Sequence, residues 1–327
     1  MMPDILAIGM GMVDIAIKPI PANMFDYDVY LFDSATTTTG GDALNCAIDC
    51  SKLGVDTGCI FKTGKDIYGR LVRETSEKYG IDISRAKEDP EMPTTMAVLC
   101  IENSGERSGC AHTRGVNKNF TIDDIDLDYV KQAKIVHYGS AGLAPKLDGE
   151  GIGQVFKACK EAGVVTAMDV CVLNHDDVAL DYVKYALPYT DYFLPSDNEA
   201  AEISGKQTCE EFEAFYKPFG IKNLIVKLGA KGVFVTDFKE RRTIPTFHVD
   251  QVRDVTGCGD SFCAAFLSAI SWGWSIWEAA VFGNAVGSMN CQAVGATLGV
   301  KSREETMAYI RAHIEDVPED LRARFEA

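Results

Sequence analysis

No run of the chain approaches the ~18 consecutive apolar residues that a membrane span requires. Met1-Met2-Pro3-Asp4 lacks a basic start, and no cleavable apolar segment follows it, so a secretory leader is not expected. The eleven cysteines include no Cys-x-x-Cys pair, and Cys46, Cys50, Cys100 and Cys263 lie in apolar helix or strand patterns. An odd, scattered set fits buried thiols in a reducing compartment better than a disulfide framework. The expectation is a cytoplasmic protein. Basic residues are in deficit, 32 against 48 acidic, for a net charge of −16. That balance argues against nucleic acid and anionic membrane as partners, since both need a basic face. Local charge still allows an anionic substrate. Repeats and low-complexity linkers are absent too, so 327 residues, 46% of them hydrophobic, read as a single domain over 1–327.

A third glycine is missing where one fold class would need it. Ile5-Leu6-Ala7-Ile8 runs as a strand into Gly9-Met10-Gly11, but Asp14 stands at the third glycine position, and residues 15–21 read as extended chain rather than helix. The dinucleotide-binding fingerprint fails on both counts.

What is present centres on Asp254-Val255-Thr256-Gly257-Cys258-Gly259-Asp260-Ser261-Phe262, followed by an apolar run through Ile270. The run has no polar face wide enough for a surface helix, so a buried helix is expected. Its first amides, at Gly257 to Asp260, would form an anion site with the positive end of the helix dipole. That field is expected to lower the pKa of Asp260 and keep it ionised. An ionised carboxylate beside a phosphate-sized anion hole suggests phosphoryl transfer. A glycine-rich turn whose Asp merely caps the helix is the other reading of the spacing.

Elsewhere the chain alternates. Helix 123–133, strand 134–138, helix 149–162, strand 164–169, helix 176–187 and strand 191–194 form βαβ units, and Leu224–Lys227 and Val233–Thr236 add two further strands. A parallel sheet with ligands at its carboxyl ends follows, and Asp169 sits at such an end. Thr95–Ile101 and Arg107–Arg114 bracket a hairpin turn at 103–106.

Asp254 to Phe266 resembles the second signature of the ribokinase-like (PfkB-type) carbohydrate kinases, with Val255, Cys258 and Ala265 as departures. Gly40-Gly41-Asp42-Ala43-Leu44-Asn45-Cys46-Ala47 resembles the first signature. The resemblance implies a three-layer α/β/α sandwich with a mostly parallel sheet, plus a small β-sheet lid from about 15–38 and 94–115. It implies phosphorylation of a hydroxyl on a small sugar by ATP, with Mg²⁺ and a possible K⁺, and a homodimer formed through the lid. Asp260 would be the catalytic base, with Gly257, Cys258 and Gly259 as the anion hole. Asp14, Gly41, Asp42 and Asn45 would hold the sugar, with Asp42 capping the helix that starts near Ala43.

Lid strands would bring Arg107, His112, Arg114 and Asn117 toward substrate, the other and better-supported reading of Arg107 being a residue on the hairpin surface. Arg114 in the pocket would suit an acidic or phosphorylated substrate. Lys227, Gly229, Asn284 and Ser196 would face ATP, Ser196 standing where the family has Asn. Glu199 would help hold hydrated Mg²⁺, its other reading being a solvated acid in a first helical turn. Asp254 and Thr256 fall where some relatives bind a monovalent cation. Val170-Cys171-Val172 replaces a sugar-reaching motif of many relatives. A nucleoside kinase of the same fold and a non-catalytic sugar or nucleotide sensor are the competing readings.

Overall fold

A computed structural model of the protein describes residues 2–103, 107–171 and 179–326, apart from the side chains at 107, 108 and 140. The strands along the chain are β1 (Ile5–Ile8), β2 (Met12–Lys18), β3 (Ser34–Gly40), β4 (Thr57–Ile60), β5 (Lys62–Gly64), β6 (Lys87–Asp89) and β7 (Met96–Ile101). They continue with β8 (Arg107–Thr113), β9 (Ile135–Ala141), β10 (Val165–Val170), β11 (Tyr192–Phe193), β12 (Asn223–Lys227), β13 (Val233–Thr236) and β14 (Arg241–Ile244).

Eight of them form one sheet in the order β14-β13-β12-β11-β10-β9-β1-β4, parallel from β4 to β12 and antiparallel at β13 and β14. Ile5-Leu6-Ala7-Ile8 is apolar throughout because both faces of this sheet are covered. Leu6, Ile8, Val136, Tyr138, Met168, Leu224 and Val226 pack on one side with the helices Glu150–Glu161 and Cys209–Tyr216. Ile5, Ile135, Ala167 and Ile225 face the other way, onto the helices Asp42–Lys52, Cys258–Ser271 and Ile276–Asn290. The expected buried helix is there, with every residue from Ser261 to Ala269 enclosed.

The smaller sheet has the order β3-β2-β7-β8. Ala97 and Leu99 of β7 join Met10, Met12 and Leu143 in a cluster that seats it beside the carboxyl end of the large sheet. Asp14 lies opposite Thr38 and Ala97, and Ala97 opposite His112, so Asp14 and His112 share one rung and one face. Turn residues 104–106 lie outside the described residues, as do Val172 and the expected helix start at 176–178; the helix there is described as Ala179–Val183.

Two expectations need correcting. Residues 123–133 are not one helix, because Asp126 accepts the Tyr129 amide at 3.1 Å and starts a short helix, Leu127–Val130, after a separate turn at Ile122–Asp124. Cys100 is only half-buried, because β7 belongs to the small sheet, and Cys110 on β8 is exposed. Among the described residues no helix is long and apolar enough to cross a membrane.

Candidate active site

Gly257 caps the buried helix with φ 73°, and a Cβ there would fall 2.2 Å from the Ala296 carbonyl oxygen. Only glycine fits, since both the torsion and the contact exclude a side chain. The Ser261 amide returns to the Gly257 carbonyl at 2.8 Å, and the Cys258 amide donates to the Val255 carbonyl at 3.2 Å. Cys258 therefore spends its amide inside the turn in this structure. The Gly259 and Asp260 amides remain as first-turn donors that the helix has no use for.

Asp260 projects from this turn toward the helix Asp42–Lys52, where Asn45 Nδ2 donates to its Oδ2 at 2.8 Å. Beneath lies an ion pair built by strand alternation. Asp169 shares a face of β10 with Ala167, and Lys227 shares a face of β12 with Ile225, so both point to the same side as Cys263. Lys227 Nζ donates to Asp169 Oδ2 at 2.5 Å, and Cys263 Sγ donates to the same oxygen at 3.3 Å. A Cβ on Gly259 would lie 3.4 Å from that ammonium, so Lys227 rises directly under the first helical turn.

The electrostatics reverse one expectation. Burial raises the Asp260 pKa above the ordinary carboxylate range and Asp169 adds to the rise, while Asn45 and Lys227 pull it down. The helix field was expected to dominate and lower it; loss of water around the carboxylate outweighs that field. Burial opposes the Lys227 charge, yet Asp169, Cys263 and Glu199 hold its pKa well above that of an ordinary lysine.

Among the residues expected to hold the sugar, Asp14 lies so close to Gly40 that a Cβ there would sit 2.0 Å from its Oδ2. Gly41 takes φ 94° at the cap of the next helix, over the Met10 carbonyl. Asp42 is the first residue of that helix rather than its cap, and its Oδ1 accepts the Ala43 amide at 2.9 Å. The two glycines explain the close packing of β2, β3 and this helix start. Arg114 follows β8, and its positive charge reaches the buried Asp148. The Arg107 side chain lies outside the described residues. Asn117 is fully buried, with both amide atoms lacking a partner.

A sequence profile of pfkB family carbohydrate kinases matches residues 2–303. The chain belongs to that family. It is 29% identical over 272 residues to fructokinase-2 of Oryza sativa subsp. japonica, covering 79% of this chain and 80% of the relative. It is 26% identical over 281 residues to 2-dehydro-3-deoxygluconokinase of Bacillus subtilis, covering 83% and 86%. Arabidopsis thaliana ribokinase, complexed with ribose and ATP, superposes with a TM-score of 0.81 at 26% identity, over 95% of this chain and 99% of that one. The sandwich with its smaller sheet is thus the ribokinase-like fold.

The residues that the sequence led us to expect on the nucleotide side carry structural bonds. Ser196 and Glu199 form a reciprocal capping box on the helix Asp197–Ser204, with the Ser196 amide and hydroxyl both donating to Glu199 Oε2 at 2.7 Å. Asn284 donates to the Ile244 and Pro245 carbonyls at 3.2 and 2.9 Å, fastening the end of β14 to the helix Ile276–Asn290. Gly229 opens the turn after β12 with φ 57°. Asp254 accepts the Thr256 and Gly295 amides at 2.9 Å each, joining the loop before the buried helix to the 292–298 loop.

Two acids of this pfkB kinase escape a reading of the sequence. Asp148 accepts from the Tyr138 hydroxyl at 2.6 Å and the Gly142 and Ala144 amides, while burial pushes its pKa up to about 7. Asp49, inside the helix Asp42–Lys52, accepts from the Ser261 hydroxyl at 2.7 Å. A carboxylate in the Asn45 stripe, one turn on, was the available signal for Asp49.

Proposed function

We propose that this carbohydrate kinase transfers the γ-phosphoryl group of ATP to a hydroxyl of a small sugar or sugar derivative. The observation that carries the reading is the Asp260 carboxylate, fixed by Asn45 at the amino end of a buried helix with the Lys227 ammonium below. The sugar oxygen attacks the γ-phosphorus and the bond to the β,γ-bridging oxygen breaks, ADP keeping its electron pair. The hydroxyl proton passes to Asp260. Gly259 and Asp260 amides stabilise the charge that develops, helped by Lys227. Asp14, Gly41, Asp42 and Asn45 line the sugar side, and a Gly40 too tight for any Cβ supports that placement.

No group of three or more His, Cys, Asp or Glu residues that could cage a metal occurs among the described residues. That donor set fits Mg²⁺ held mainly by phosphate and water, with Glu199 contributing through water. The ion would neutralise phosphate charge. Support for K⁺ at Asp254 and Thr256 comes from the resemblance alone. Val252, Val255, Val294 and Leu298 are exposed around these loops, which supports an adenine seat there, and the resemblance would add Asn284 to its lining. The buried thiols of Cys46, Cys50, Cys59, Cys159 and Cys263 support a cytoplasmic location.

The test is ADP formation with Mg²⁺ against hexoses, pentoses, keto-sugars, sugar acids, sugar phosphates and nucleosides. At least one sugar or sugar derivative should be turned over. Turnover of nucleosides alone would favour a nucleoside kinase. ATP binding with no turnover across the panel would favour a sensor.

Between β2 and β3, Phe25, Val29 and Leu31 are 89%, 77% and 86% exposed. Such a patch on the small sheet supports a homodimer formed through it. Light scattering should give twice the chain mass, and Phe25→Asp with Leu31→Asp should give the monomer.

A further inference from the structure

Asn45 and Asp49 stand one turn apart on one face of the helix Asp42–Lys52, buried against the helix Cys258–Ser271, with 4% and 0% of their surfaces exposed. Each spends one terminal atom on neighbouring residues of the opposite helix. Asn45 Nδ2 donates to Asp260 Oδ2 at 2.8 Å, and Asp49 Oδ2 accepts from the Ser261 hydroxyl at 2.7 Å. The remaining atoms, Asn45 Oδ1 and Asp49 Oδ1, are shut off from solvent and have no partner. Two buried acceptors left unpaired would each carry an uncompensated desolvation cost. A proton on Asp49 Oδ1, donated to Asn45 Oδ1, would remove both costs.

We propose that Asp49 is a positioning residue whose Oδ1 carries a proton and donates it in a hydrogen bond to Asn45 Oδ1, fixing the Asn45 amide with its N–H toward Asp260. Side-chain inventory gives the reason. An amide has a donor end and an acceptor end, whereas an ionised carboxylate only accepts. Were Asp49 ionised, the Asn45 amide would have two carboxylates competing for its N–H, and turning toward Asp49 would set its oxygen against Asp260. With the proton on Asp49, only one orientation satisfies all three groups.

The surroundings agree. Burial raises the Asp49 pKa well above the ordinary range, and Cys50 and Asp260 raise it further, against the opposing pull of Ser261 and Lys52. Lys52 does not neutralise it by contact, since its ammonium donates to the Thr297 carbonyl at 2.6 Å. Cys46 and Cys258, the other titratable neighbours, also feel Asp49; the Cys50 thiol and then burial raise the Cys46 pKa, and burial and then Cys291 raise that of Cys258. Neither thiol supplies a charge that would favour the carboxylate.

The inference rests on Asp260 being the catalytic base, but its first test does not. Infrared difference spectra of wild type against Asp49→Asn at neutral pH should show a carboxylic-acid carbonyl band that the variant lacks. Absence of that band overturns the proposal whatever the chain phosphorylates. With a substrate in hand, Asp49→Ala frees the amide to turn and should lower kcat about tenfold while leaving the KM for ATP within about twofold. Asp49→Asn supplies an N–H toward Asn45 and an oxygen toward Ser261, and should restore kcat. A merely structural carboxylate would not be rescued by the amide, and an Asp49→Asn variant as slow as Asp49→Ala overturns the proposal. Should Asp49→Ala fail to fold, the band and the Asp49→Asn rate decide together: band present and rate retained uphold the proposal, and loss of either overturns it.

Discussion

Asp260→Asn is expected to lower kcat about 10³-fold, the middle of the range for loss of a general base, while ATP still binds. The substitution keeps the shape and removes the proton acceptor, and Asn45 can still donate to the remaining side-chain oxygen. Stability should move the other way. Burial and Asp169 raise the folded-state pKa of Asp260 above its unfolded value. Above that raised pKa the ionised carboxylate works against folding, so removing its charge should raise Tm at neutral pH. Below the unfolded pKa both states hold the proton and the gain vanishes. The same shift governs the rate, since a base must be ionised to act. The acid limb of the wild-type kcat/KM profile should therefore lie above the ordinary carboxylate range and disappear in the variant. An Asp260→Asn enzyme retaining more than about a tenth of wild-type kcat would exclude Asp260 as the base.

The helix start at Gly257 was legible in the sequence because its causes are local: glycines that permit the turn and an apolar run that must be buried. The alternation of strands and helices was legible for the same reason, and it placed Asp169 and Lys227 at carboxyl ends of strands. Their partnership was not legible, because they stand 58 residues apart and meet only when β10 and β12 point them to one face. Nor could the direction of the Asp260 shift be read. A helix dipole is visible in the local sequence, whereas the desolvation that overrides it depends on elements distant in sequence, such as the helix Asp42–Lys52 that brings Asn45 to the carboxylate. Asn284, an amide in an apolar helix, does find hydrogen bonds, but with the Ile244 and Pro245 carbonyls. Asp49 drew no notice because a single acid in a helical stripe ordinarily faces water. Its burial comes from Ser261, 212 residues later.

Lys227→Met should be the most destabilising single change at the site, about 3–5 kcal/mol, the range for breaking a buried ion pair from one side. Both partners are enclosed, with 14% and 6% of their side chains exposed, and among the described residues the methionine leaves Asp169 with the Cys263 thiol as its one side-chain donor. Because the folded-state pKa of Lys227 is raised above its unfolded value, its contribution is fully present at neutral pH and fades only as pH climbs through the folded pKa. Urea unfolding at neutral pH measures the loss. Asp169→Asn in the Lys227→Met background should recover most of it, since the cost is the stranded carboxylate rather than a missing attraction. Activity should separate the two variants differently. Lys227 lowers the Asp260 pKa and Asp169 raises it. Lys227→Met alone should therefore move the acid limb of the kcat/KM profile to higher pH, and the double variant should bring it back. A Lys227→Met protein as stable as wild type, or an acid limb that does not move, would mean that the pair under Gly259 supports neither the fold nor the base.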